Sequence, residues 1–120
     1  MIEVLHDFPA SVVAVRCGGR VSRSDYETVL IPAVKAALGQ HSKVRVYYET
    51  ADDFSGLEAG AIWEDFKVGM GHLTRWERGA VVTDVEWIKQ AIRLFGFMMP
   101  GEIRSFSSFE ATQARAWITK

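Results

Sequence analysis

Residues 12–30 read VVAVRCGGRVSRSDYETVL, and the change of rhythm within them decides the fold. Val12 to Cys17 are mostly β-branched or small, which suits a short strand. Gly18 and Gly19 loosen its end. From Ser24 the apolar period lengthens: Tyr26, Val29, Leu30, Ala33 and Ala37 recur at helical spacing. Ser24 and Glu27 offer a capping box at the start, and Gly39 offers a stop. Pro32 falls inside this helix and is expected to kink or interrupt it.

Upstream, Met1 to His6 reads as another strand, joined to the first by the turn DFPAS. Downstream, Val44 to Thr50 (VRVYYET) is β-branched and aromatic, so it reads as strand. In the next segment Ala59, Ile62, Trp63, Phe66, Met70 and Leu73 share one helical face, with Glu58, Glu64, Asp65 and Lys67 away from it. Gly79 to Thr83 is a continuous apolar run typical of a strand covered on both sides. A third helix is expected over Val85 to Met99, a last strand over Glu102 to Phe106, and a final helix from Ser107 with Glu110 three residues on. Ala111, Ala114, Trp117 and Ile118 would dock that helix. The order is β-β-α-β-α-β-α-β-α, predicting an α/β fold with about five strands and four helices. Parallel pairing follows from the right-handed crossovers, and the leading hairpin makes the sheet mixed.

The 120 residues suffice for one domain with its own core, and 48% apolar against 24% charged residues is a globular composition. A net charge of −1 supplies no field for nucleic acid. The single cysteine, Cys17, fits a reducing cytoplasm and reads as a small buried hydrophobe. Nothing at the N-terminus has the form of a signal peptide, and no apolar run is long enough to span a bilayer. The expected location is cytoplasmic, with peripheral contact at the inner membrane as the alternative.

The stretches VVAVRCGGRVSRSDYETVL and VRVYYETADDFSGLEAGAIWEDF resemble the STAS domain of bacterial anti-sigma-factor antagonists. DYETVLIPAV, AIWEDFKVGMGHL, RGAVVTDVEW and the terminal ARAWI are similar, more closely, to the SpoIIAA-like family. The resemblance implies a regulatory interaction module. It also implies a switch, in which phosphorylation of a serine at the start of the second helix expels a partner. In ADDFSGLEAG only Ser55 carries a hydroxyl, and Glu58 or Ala59 falls nearer the place where the switch serine belongs. Ser55 is therefore the candidate phospho-site, set against a loop-capping role.

Glu49, Asp52 and Asp53 follow the carboxyl end of a predicted parallel strand, where α/β folds place ligands. Paired carboxylates there would suit metal binding or acid–base work. His6, His41 and His72 are scattered, however, and no nucleophile elbow, Walker loop or dinucleotide fingerprint is present. Solvated loop acids are the favoured reading, with no catalytic residue, metal or cofactor expected.

The stretch IRLFGFMMPGE, residues 92–102, carries more apolar surface than a sheet-covering helix requires. Taking Ile88 as zero, Ile92, Phe95 and Met99 lie within about 40° and form the core stripe. Trp87, Leu94 and Met98 make a second row near 240–280°, and Phe97 falls at about 180° among Lys89, Gln90 and Arg93. Trp87, Leu94, Phe97 and Met98 are the expected ligand, membrane or partner surface, against the alternative that Trp63, Trp76 and Trp117 cover them. The fold is similar in layout to CRAL-TRIO domains, which implies that this helix could open to an apolar ligand. Two functions follow. The first is a non-enzymatic module binding a protein partner or itself, as a homodimer. The alternative is a carrier or sensor of an apolar small molecule or lipid, with reversible membrane association through the third helix.

Overall fold

The computed structural model describes residues 1–58, 75–96 and 101–120. Its centre is a five-stranded sheet of β1 (Ile2–Val4), β2 (Val12–Cys17), β4 (Val44–Thr50), β6 (Trp76–Val82) and β7 (Glu102–Phe106), in that spatial order. β1 runs antiparallel to β2, and every other pairing is parallel. The mixed, mostly parallel sheet is the one expected. The strand over Val12–Cys17 has the bounds its β-branched run implies.

Strand alternation sorts the core into two layers. Val13, Val15 and Cys17 of β2 join Val44 of β4 on one face, beneath Tyr26, Leu30, Val34, Ala37 and Leu38. Val12, Ala14, Tyr47, Ala80 and Val82 point the other way, onto Ala114 and Ile118 of the last helix, with Ala111 and Trp117 packed alongside. That helix, α4 (Ala111–Ile118), follows a 3₁₀ turn over Ser108–Glu110 whose capping box is the expected pair, Ser107 and Glu110. Arg45 and Arg78 reach up from the sheet to the carbonyls of Ile118 and Trp117, at 2.8 and 3.0 Å, so two cations sit at the negative end of α4.

Two sequence expectations change, and the expected interruption at Pro32 takes a specific form. The capping box of the first helix lies two residues earlier: Ser22 and Asp25 bond reciprocally at 2.9 and 3.1 Å, in place of Ser24 and Glu27. Glu27 turns instead to Arg23. Pro32 does interrupt the regular α-helix, as expected, while the chain stays helical. Between α1 (Arg23–Asp25) and α2 (Ile31–Gln40) the backbone widens into a π-helical turn, Tyr26–Leu30, where the Ile31 amide bonds Tyr26 five residues back. The ring of a mid-helix proline collides with the carbonyl four residues before it, and the wider turn leaves room for it. β6, finally, starts three residues ahead of the expected Gly79, because Glu77 and Arg78 each find a partner.

Two short strands join the loops above the sheet: β3 (Arg20–Val21) pairs in parallel with β5 (Gly56–Leu57). The helix over Glu86–Phe95, labelled α3, begins one residue after the expected Val85, which is its cap position. The helix expected from Ala59 to Leu73, and residues 97–99 of the third, lie outside the described residues.

Candidate interaction surface

The carboxyl ends of β4 and β6 are joined by a half-buried hydroxyl pair. Thr50 donates to Thr83 at 2.8 Å, and the Thr83 oxygen also accepts the Val85 amide at 3.0 Å, which aims the chain into α3. Asp84 then accepts both the amide and the hydroxyl of Ser108, tying the start of α3 to the start of the C-terminal helix. These bonds hold Asp84 below the usual carboxylate range. The first turn of α3 is thus anchored on two sides.

Ile88 is buried beneath that turn, and Trp87 beside it is 50% exposed. Leu94, two turns further on, is 62% exposed. Residues 87 and 94 lie seven apart on one helix row, so their exposure forms a single apolar side of α3. Trp76 and Trp117, candidates to cover that row, are taken up elsewhere. Trp76 belongs to the core under α2, and Trp117 has the guanidinium groups of Arg78 and Arg104 over its ring at 5.2 and 4.7 Å. Phe97 and Met98, the other two expected surface residues, lie outside the described residues. The far end of α3 presses on β7: a β-carbon on Gly96 would stand 2.9 Å from a methyl of Ile103. Beside this contact a crevice of about 440 Å³ opens between helix and edge strand, bordered by Ile92, Arg93, Glu102, Ile103 and Ser105.

Phe109 is more exposed than either α3 residue, at 88%, but its neighbours Ser108 and Glu110 are polar and engaged in caps. Single exposed apolar residues are ordinary.

The loop carboxylates divide. Glu49 belongs to the sheet face under α4, where Arg16 donates to it at 2.6 Å and the Tyr47 hydroxyl at 2.6 Å. Burial pushes the Glu49 carboxyl up, but these two donors outweigh it and leave its pKa lowered. Burial and the same hydrogen bond raise the Tyr47 hydroxyl. Phe8 packs on Tyr47, and Arg115 stacks over Phe8 while pairing with Asp7 at 2.6 Å. Asp52 and Asp53 lie in the exposed turn beyond β4, and a β-carbon on Gly18 would stand 2.9 Å from an oxygen of Asp53. Among the described residues no three His, Cys, Asp or Glu side chains gather where a metal could bind.

The Arg16–Glu49–Tyr47 group was not anticipated as a unit. Its signal was Arg16, a charge inside the apolar run VVAVRC, and its position opposite Glu49 once β2 and β4 pair. Ser55 is exposed, and its amide bonds the Gly19 carbonyl at 2.9 Å. Glu58 accepts the Arg23 amide at 3.2 Å, so the residue near the expected switch position places a carboxylate at the first turn of α1. Cys17 is fully buried. No helix among the described residues is long and apolar enough to cross a membrane.

A parallel sheet with an antiparallel leading strand, helix after strand, defines a STAS-like α/β module. Residues 12–119 match the SpoIIAA-like family model, and the chain belongs to that family. Its fold is similar to the crystal structure of an uncharacterized protein from Shewanella loihica PV-4 with a SpoIIAA-like fold. The TM-score is 0.73 at 24% identity, over 98% of this chain and 90% of that one. No curated protein matches the chain.

Proposed function

We propose that this protein is a non-enzymatic interaction module that docks a protein partner, or a second copy, through the apolar side of α3. The observation that carries the reading is the exposure of Trp87 and Leu94 on a helix whose first turn is otherwise firmly anchored. An unanchored end could expose apolar groups by fraying; a helix fixed by Thr83, Asp84 and Ile88 presents them at a defined place. Membership in a family of STAS-like fold, a fold of regulatory interaction modules, supports it. Phe97 and Met98 continue the same apolar stretch in the sequence.

The carrier reading has one observation in its favour, the crevice between α3 and β7. It is bordered by Arg93, Glu102 and Ser105 as well as two isoleucines, which suits an amphiphile better than a pure hydrocarbon.

Leu94→Asp separates these readings. The substitution at an exposed site should leave the melting temperature near that of the wild type and abolish association with a partner docked on α3. Under the carrier reading it would instead release the protein from floated liposomes, and a lipid adduct would appear in native mass spectra of the purified chain. If Leu94→Asp changes neither protein association nor flotation, the α3 surface is not the site of function.

A further inference from the structure

The outer edge of β7 has a property that the apolar side of α3 does not: it is complementary to itself. β7 is the last strand of the sheet, and among the described residues no strand pairs with its far side. Its sequence is Glu102-Ile103-Arg104-Ser105-Phe106. The Thr83 amide donates to the Phe106 carbonyl at 2.8 Å, so the backbone of Phe106 faces β6. Residues of a strand turn their amide and carbonyl alternately to the two sides. Phe106, Arg104 and Glu102 therefore face β6, and Ser105 and Ile103 present theirs outward.

We infer that two copies of this chain join edge to edge through β7, antiparallel, about a two-fold axis at Ile103. In that register Ile103 lies opposite itself as a hydrogen-bonded pair, each copy using its outward amide and carbonyl, which no strand among the described residues takes up. Glu102 of each copy then faces Arg104 of the other, twice, in the closer non-hydrogen-bonded positions. Both side chains are about half exposed, and within the monomer each finds the other, at 2.7 Å along the same strand. The pair is thus available to re-form across the axis.

The charges also select the register. Shifting the axis by one residue sets Arg104 against Arg104 or Glu102 against Glu102, and like charges directly opposite are unfavourable. Edge-strand charges ordinarily block pairing. Here one arrangement turns both of them to advantage. The two α3 helices would come to lie on the same face of a ten-stranded sheet, beside the crevice at β7. This self-pairing uses a surface distinct from the α3 side of the interaction-module reading and is tested separately from it.

Sedimentation equilibrium of the full chain over a concentration series provides the test. The wild type should reach about twice the 13.5 kDa chain mass. Glu102→Arg and Arg104→Glu should each weaken the dimer by at least about tenfold, because each sets like charges together at both symmetric positions. The double variant carrying both reversals should recover it, since arginine at 102 again faces glutamate at 104. Ile103→Cys supplies a second measurement. A hydrogen-bonded antiparallel pair holds the two α-carbons at about 5.5 Å, within disulfide reach, so this variant should cross-link on oxidation while buried Cys17 does not. A wild type that stays monomeric overturns the inference. So does a dimer indifferent to both single reversals, or one in which Ile103→Cys fails to cross-link. Each of those results leaves the Leu94 test of partner docking untouched.

Discussion

Gly101→Ala should destabilise the protein by about 3 kcal/mol, at the upper end of what overpacking costs. β6 bulges at its start, with Val44 opposite Trp76 but Arg45 opposite Arg78, so Glu77 is the extra residue. The bulge pushes two carbonyls toward the chain entering β7. A β-carbon on Gly101 would lie 2.5 Å from the Trp76 oxygen and 2.7 Å from the Glu77 oxygen. Both are backbone atoms, so no side-chain rotation relieves the collision, and the first pairs of β6 with β7 must move. Gly39 is the control. It lies within α2 with nothing near its would-be β-carbon, so Gly39→Ala should stabilise by roughly 0.5–1 kcal/mol. Urea titration of both variants decides it; equal, small effects would mean that the bulge does not press on residue 101.

Tyr26→Ala should cost about 3–5 kcal/mol, the range for truncating a fully buried aromatic ring. The side chain begins the π-helical turn and fills the layer between α2 and the sheet, among Cys17, Val21 and Leu30. Tyr26→Phe keeps that volume and removes the hydroxyl contact to Tyr48, at 3.3 Å, so about 1 kcal/mol or less should be lost. The contrast separates packing from hydrogen bonding. A phenylalanine variant as damaged as the alanine one would place the stabilisation in the Tyr26–Tyr48 contact. Burial pushes the Tyr48 hydroxyl above the ordinary phenol range.

Both sites show how far the sequence could be read. Val12–Cys17 had legible bounds because β-branched residues fill it between turn signals, and Ser107 with Glu110 gave the last cap because, of Ser105, Ser107 and Ser108, only Ser107 has an acid three residues on. The first cap was ambiguous: Ser22 and Ser24 both precede an acid by three residues, and only the docking of Tyr26 into the core decides between them. Gly101 read as part of a Pro-Gly stop. Its close approach to β6 depends on a bulge where β6 pairs with β4, beside Arg45 and Glu77, which are 32 residues apart in sequence. The two-residue strands β3 and β5 are too short to carry any alternation.

The candidate surface was legible in kind. A helix greasier than its docking requires could be counted around its circumference, and Trp87 and Leu94 are indeed exposed. Which residues leave a strand edge open is a matter of pairing order, and no periodicity reveals it. The polar group of Arg16, Glu49 and Tyr47 likewise exists only once β2 and β4 lie side by side.

Hydroxyl-radical footprinting, performed on purified protein at high dilution and again inside cells, bears most directly on the docking role of α3. Trp87 and Leu94 should be labelled in the dilute protein and strongly protected in cells, while Phe109, exposed on a different element, should react to the same degree in both. Equal labelling of Trp87 and Leu94 in the two settings would contradict the account, because a docking surface that is never covered docks nothing.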